Sequence, residues 1–498
     1  MELQFNKTVF PCLQKVVSKQ QTQELTQELR LPDTMPDIGR ILGCWGQTIV
    51  RGKEWRTGGM TVNGGVMVWV LYAPEDGSAP QSVDAWLPFQ MKWDFPETQR
   101  DGAIHVCPYL KGMDCRSLSA RKMMIRSSVS ILGEAIEPVD IDIWHPDNVP
   151  EDVQLLQQKY PMELPQEAGE KPFVMEEELI LPANLPQLMK VIRCEIQPRI
   201  TEHKVLAGKL VFRGNCCVHL LYASDDGGLN SWDLEMPFSQ LADLDRDYGP
   251  NSTANIKMVV TGFEQEKNPE GKLLIKCGLS AQYLISDRCI VEVVEDAYSN
   301  MRPVKQHQEL LHLPVRLDVH FDEILVEQNL NADAQKVVDI SSCWDCPVLR
   351  QSGNTAEAEI TGQIQVLYQN EADALQGTTM QKQVNWSLGS ASDNQVCMVL
   401  SSEKPKLGFG PDGMQVSMNL SLEAAVFSQQ GIPMITSLEL GEVIEPDPAR
   451  PSLILRKSDG STLWELAKTC GSTVDAICSA NQLQQEPVAD KMLLIPVL

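Results

Sequence analysis

The chain is short of positive charge: 42 lysines and arginines stand against 67 aspartates and glutamates in 498 residues, a net charge of −25. A phosphate backbone demands a basic face, so nucleic acid is a poor partner, and an anionic membrane surface would repel the chain. A basic partner fits this charge, although charge alone names none. No run of about 18 apolar residues occurs, so no membrane-spanning helix is expected. The opening Met1-Glu2-Leu3-Gln4-Phe5-Asn6-Lys7 lacks the basic stretch and apolar run of a secretory signal, which implies residence in the compartment of synthesis. Histidines number only seven, and there is no His-Glu-x-x-His, Walker loop or Gly-x-Ser-x-Gly. No enzyme activity, cofactor or metal is therefore expected. Fourteen cysteines are scattered, several of them inside apolar runs (Cys216, Cys217, Cys277), and read as buried reduced thiols.

What is present is repetition. Glu28-Leu29-Arg30-Leu31-Pro32, Pro36, Arg40-Ile41-Leu42 and Cys44 recur 150 residues later as Glu178-Leu179-Ile180-Leu181-Pro182, Pro186, Lys190-Val191-Ile192 and Cys194. The apolar run Val66–Tyr72, entered through Gly64, recurs as Cys216–Tyr222, entered through Gly214. A third copy follows at an offset of 146, with Lys336-Val337-Val338 and Gly362 to Tyr368. There the glycine lies two residues nearer the tyrosine, a shift that keeps inward-facing side chains inward, whereas one residue would flip them. The third copy lacks the Leu-Pro opening and reads as diverged. Repetition on this scale argues for a module that binds, assembles or spaces things.

Within each copy, runs rich in Val, Ile, Tyr and Trp alternate with turn signals such as Glu75-Asp76-Gly77, Asp225-Asp226-Gly227-Gly228, Asn268-Pro269-Glu270-Gly271 and Pro411-Asp412-Gly413. The expected fold is mainly β: three tandem β-rich modules, each a sandwich or open barrel, followed by a small βααβ domain. The expected boundaries are 1–150, 173–300, 320–446 and 452–498. The polar stretch Gln154–Pro172, with Pro161 and Pro165, reads as a linker, and so does the Pro-rich Glu445–Pro451.

Two motifs invite sharper readings. Gly408-Phe409-Gly410-Pro411-Asp412-Gly413 fits a dinucleotide fingerprint, but an alternating strand follows it where a helix is required, so a hairpin is expected. Cys343-Trp344-Asp345-Cys346 is a lone Cys-x-x-Cys without a second ligand pair, so structural thiols are expected.

The last fifty residues change character. Thr462, with Glu465 three residues on, can form a capping box, and Leu463, Leu466, Ala467 and Cys470 then share one helical face. Gly471 can stop that helix, Thr473 can cap another, and Met492–Pro496 reads as a closing strand. Trp464 is expected to pack rather than to stack on a sugar.

Gly460-Ser461-Thr462-Leu463-Trp464, Leu466-Ala467-Lys468, Gly471-Ser472-Thr473-Val474, Ala480-Asn481-Gln482-Leu483 and Leu494-Ile495-Pro496 resemble a LysM domain. The resemblance implies a shallow groove for N-acetylated glycans such as peptidoglycan. It would lie between Gly460, Ser461 and Thr462 on one side and Asn481, Gln482 and Leu483 on the other. The usual acidic loop residue is lost here or displaced to Asp459. Upstream, Leu31-Pro32-Asp33-Thr34-Met35-Pro36-Asp37-Ile38-Gly39-Arg40-Ile41-Leu42-Gly43 resembles the opening of the SPOCS domain family. Tandem SPOCS modules ending in LysM are similar to clostridial spore-coat morphogenetic proteins. That likeness implies a non-enzymatic adaptor on the mother-cell side of the forespore surface. Its LysM end would dock on the ATPase of the coat basement layer or on another coat protein, and its repeats could self-associate. Peptidoglycan binding in wall or cortex is the alternative.

Overall fold

The computed structural model describes residues 2–96, 102–268, 272–312, 316–330, 334–352, 355–389, 395–410, 413–427, 431–445, 449–458, 460–483 and 491–498. The expected turn at 269–271, the tip at 411–412, the linker residues 446–448 and Asp459 lie outside this set.

The first run of strands comprises β1 (Glu2–Leu3), β2 (Phe5–Arg30), β3 (Ile38–Arg56), β4 (Gly59–Pro74), β5 (Gln81–Asp94), β6 (Ala103–Ser119) and β7 (Lys122–Pro146). The second comprises β8 (Val153–Leu179), β9 (Leu188–Leu206), β10 (Lys209–Ser224), β11 (Leu229–Asp243), β12 (Thr253–Lys267) and β13 (Leu273–Ser299). The third comprises β14 (Val304–His312), β15 (Arg316–Asn329), β16 (Ala334–Trp344), β17 (Val348–Ser352), β18 (Thr355–Asn370), β19 (Leu375–Gly389), β20 (Gln395–Ser402), β21 (Lys406–Gly410), β22 (Gly413–Phe427) and β23 (Gly431–Leu440). The chain ends with β24 (Leu453–Lys457), α1 (Leu463–Cys470), α2 (Val474–Asn481) and β25 (Met492–Pro496). Among the described residues no sheet closes into a barrel, and no helix is long and apolar enough to cross a membrane.

Each run builds two antiparallel sheets. One is a meander: β3-β4-β5, β9-β10-β11, and β16-β18 with β17 and β19. The other brings the strand before the meander beside the two after it: β2-β7-β6, β8-β13-β12, and β15-β22 with β20 and β21. Alternating apolar side chains of the two sheets share a core. Val62, Val68 and Trp93 meet Val129 and Ile131; Cys216 and Val218 meet Ile275 and Leu279; Ile360 and Ile364 meet Leu420 and Leu422. A further sheet, β1-β23-β14, pairs the N-terminus with the end of the third run, Leu3 opposite Leu438.

The stretch 154–172 is not a linker. It forms most of β8, which pairs with β13 from Val153 opposite Ser299 to Leu179 opposite Leu273. The prolines are tolerated because β8 is an edge strand, where a missing N–H on the outer side breaks no ladder. Pro165 also sits beside a register shift at Ile285/Ser286.

The three meanders converge on one buried cluster. Leu71, Leu221 and Leu367 meet there, as do Leu42, Ile192 and the partly buried Val338. Each trio is spaced by the repeat offsets of 150 and 146. Equivalent basic residues link neighbours in a cyclic order: Arg40 donates to the Leu375 carbonyl (2.5 Å) and Lys190 to the Ser82 carbonyl (3.2 Å). Lys336 completes the order through its charge on Asp226, whose carboxyl is lowered first by Ser224 and then by the Gly228 amide. The three runs therefore surround a common axis rather than string out as beads.

Buried polar groups fasten the ring. The Gln47 amide clamps both backbone groups of Ile196 (2.6 and 3.1 Å), and the Gln282 amide does the same to Val106 (2.7 and 2.9 Å). Asp339 accepts from Arg193 (3.0 Å) and bonds His219 (2.7 Å). Burial would raise the Asp339 carboxyl, but His219 and Arg193 outweigh it and bring it to about 2. Glu134 takes Lys15 (2.6 Å) and Lys257 (2.8 Å); burial again opposes, and the two ammonium groups hold it at about 2.

Candidate functional site

In the C-terminal segment, β24 and β25 form an antiparallel pair from Leu453 opposite Pro496 to Lys457 opposite Met492. Leu463, Leu466, Ala467, Cys470 and Ile477 of the helices share a core with Leu493 and Ile495. The local signals act as chemistry requires. The Thr462 hydroxyl accepts from the Glu465 amide while the Glu465 carboxylate accepts from the Thr462 amide. Gly471 ends α1 with φ 69°, a left-handed turn.

The expected groove residues occupy two loop ends. Gly460 is exposed with φ 92°, and Ser461 and Thr462 lead into α1. Asn481 closes α2, Gln482 is its left-handed cap (φ 53°), and the Leu483 amide donates to the Cys478 carbonyl (3.0 Å). The Asn481 side chain is committed elsewhere: it donates to the Ile477 and Leu494 carbonyls (2.8 and 2.5 Å) and accepts from the Leu494 amide (2.8 Å). It stitches α2 to β25.

Local sequence held no signal for the seat beneath this unit. Trp464 and Lys468, one helical turn apart, both reach Asp296 near the end of β13. The indole Nε1 donates at 2.8 Å and the ammonium at 2.7 and 2.8 Å. The Trp464 ring meets Tyr298 edge-on, with centroids 4.8 Å apart. The Tyr298 hydroxyl and the Asn300 amide both donate to the Ser472 carbonyl (3.0 and 2.8 Å). Burial alone would raise the Asp296 carboxyl, but hydrogen bonds from Lys468, Trp464 and Gln306, with the Lys468 charge, hold it below the usual carboxylate range. Trp464 thus packs against Tyr298 and anchors α1 to Asp296. Residues 460–462 and 481–483 lie at the ends of the helices whose other face is seated on β13.

The Cys343–Cys346 corner also serves packing. Cys346 is buried, all fourteen cysteines are free thiols, and burial pushes Cys343 and Cys346 up to about 12, away from reactive thiolate. Between them, Asp345 receives Gln20 (3.3 Å) and Lys111 (3.3 Å) of the first run. The glycine-rich 408–413 stretch lies at a hairpin, Gly410 opposite Gly413 in β21 and β22.

Comparison with known families matches residues 187–266 to the family described as SipL, SPOCS domain. This stretch covers β9 to β11 and most of β12, and it supports reading the chain as a SPOCS-domain protein. No curated protein matches the chain, and no solved structure does.

Proposed function

We propose that this chain is a non-enzymatic structural adaptor of spore-envelope assembly whose LysM-like C-terminal unit docks it at the forespore surface. The family match at 187–266 supports the link to sporulation. The observation that carries the adaptor reading is the seat on β13. Trp464 and Lys468 tie α1 to Asp296, so the groove loops at 460–462 and 481–483 keep one orientation on a large β body. Such a body offers several surfaces on one chain, and multivalence turns weak contacts into firm attachment. The partner at the groove would be the basement-layer ATPase or another coat protein.

Deleting 452–498 should abolish forespore localisation of a fluorescent fusion in sporulating cells. Unchanged localisation would remove the docking role. A pull-down on purified peptidoglycan, wild type beside Gly460→Val, separates the sugar-binding reading: strong retention lost in the variant would favour it over the adaptor. Because the Asn481 side chain is already spent on Leu494, sugar contact at that position would run through loop backbone.

A further inference from the structure

A cavity of about 1320 Å³ lies among the three runs, larger than the roughly 300–1,000 Å³ of usual small-molecule pockets. Its wall includes four consecutive residues of β20, Val396 to Val399, and four of β14, Glu309 to His312. Successive strand residues point to opposite faces, so four in a row on one cavity means that the cavity runs along the strand's edge. β20 pairs with β22 on one side, from Gln395 opposite Phe427 to Ser402 opposite Leu420. Among the described residues no strand pairs with its other side.

The ring makes that edge unusual. β6 and β12 hold the place beside β7 and β13 that β20 holds beside β22. β6 packs on β3 and β16, and β12 packs on β3 and β9. Backbone groups of β6 are also taken by buried amides, Val106 by Gln282 and Met113 by Gln363 (3.0 Å). Among the described residues no side chain bonds the backbone of Val396 to Val399. An open strand edge is a template for another strand.

The face beside this edge carries apolar and acidic groups around Val399, while at Cys397 the Lys15 ammonium approaches the thiol (4.0 Å). Phe321 and Val399 both lie opposite Glu423 across the sheet, and they are 72% and 40% exposed. A second hollow of about 400 Å³ continues along Phe321, Glu323, Ser401 and Ser421. Glu323 and Glu423 form no ion pair among the described residues, whereas Lys15 and Lys257 are already engaged by Glu134.

We propose that the outer edge of β20 is the docking site of an extended, lysine- or arginine-bearing segment of a partner protein, which joins the sheet as an added strand. Its backbone pairs with Val396–Val399. Its cationic side chains fall on the Cys397/Val399 face, where an ammonium or guanidinium end reaches Glu423, one strand beyond β20, and its stem covers Val399. Its alternate side chains lie beside Val396 and Met398, at the rim of the core. The net charge of −25 disfavours a second copy of this chain as occupant. The site stands independently of the spore-envelope assignment.

The test is fluorescence anisotropy of the full chain with a labelled, acetylated octapeptide alternating lysine and valine. Two isomers of that peptide, N-methylated on one or the other alternate set of amides, carry the same charge. One isomer should lose at least tenfold in affinity and the other should bind like the parent. The Glu423→Lys variant should weaken the parent peptide at least tenfold. Equal binding of both isomers, or binding indifferent to the charge reversal, would overturn the proposal. The isomer pair needs no protein variant, so a folding defect in Glu423→Lys cannot decide the outcome.

Discussion

The first two meanders and the third meet one packing problem from opposite sides. A Cβ on Gly64 would strike the Ile49 carbonyl and the Phe89 ring, and one on Gly214 would strike the Arg199 carbonyl and the Phe238 ring. In both, the aromatic lies directly opposite on the following strand. In the third meander the glycine has moved by two residues, and a Cβ on Gly362 would strike Trp344, directly opposite on the preceding strand. A ring laid over a glycine is kept, while the strand that supplies it changes. The even shift permits this because it leaves every side chain on its original face. The repeat therefore conserves a contact type rather than a set of positions.

Truncating the covering ring should produce the largest effect. Phe89→Ala and Phe238→Ala should each cost about 3–5 kcal/mol, and Trp344→Ala should match them, read as shifts in urea midpoint. Unequal costs for the first two would break the equivalence. Next, Asp339→Asn should cost about 3 kcal/mol, because it takes one of two carboxylates from the buried Arg193 and leaves it Glu195 alone. That junction also separates the pairs of meanders by pH. The Asp339 carboxyl is at about 2 when folded against an ordinary 3.8, so its contribution is full above 3.8 and fades as pH falls toward 2. His219 runs the other way. Burial lowers its pKa, but hydrogen bonds to Asp233 and Asp339 raise it further, so its contribution is full below 6.5 and is lost as pH rises through the raised value. The Gln47–Ile196 clamp carries no titrating group. Hydrogen exchange should show protection at 334–344 falling with acid before protection at 44–50 does. Smaller still, Gly64→Ala and Gly214→Ala should each cost about 1–3 kcal/mol through overpacking. Finally, Tyr72 and Tyr222 donate to the Pro36 and Pro186 carbonyls at 3.0 and 3.1 Å. Tyr72→Phe and Tyr222→Phe should each cost about 1 kcal/mol, equally, in the same assay.

Legibility followed the range of the cause. The strands, the offset of two residues at Gly362 and the caps at Thr462, Gly471 and Thr473 rest on neighbours within a few positions, and all could be read from the chain. The polar, proline-bearing 154–172 was misleading because an edge strand needs neither an unbroken donor row nor an apolar outer face. Nothing local could reveal that Leu71, Leu221 and Leu367 meet, that Asp296 and Tyr298 seat Trp464, or that β20 leaves an edge open. Each of these contacts spans well over a hundred residues or depends on what fails to arrive. The loop ends at 460–462 and 481–483 were legible, but not the commitment of the Asn481 side chain to β25. Charge divides along the same line: five of the 42 basic and five of the 67 acidic residues fall in 449–498, so this segment is neutral and the whole excess of −25 lies on the β body.

The seat on β13 has a mechanical consequence. β13 holds the C-terminal unit near Asp296 and Tyr298, while Leu273 to Ile285, at its other end, lie in the second run's cores. It is paired along its full length with β8, whose first residue, Val153, lies opposite Ser299. A pull on the C-terminal unit enters this ladder lengthwise, across hydrogen bonds that run perpendicular to the load. The bonds must then yield together instead of one after another. The strand that fixes the orientation of the tip is also the cable that would carry its tension into the ring.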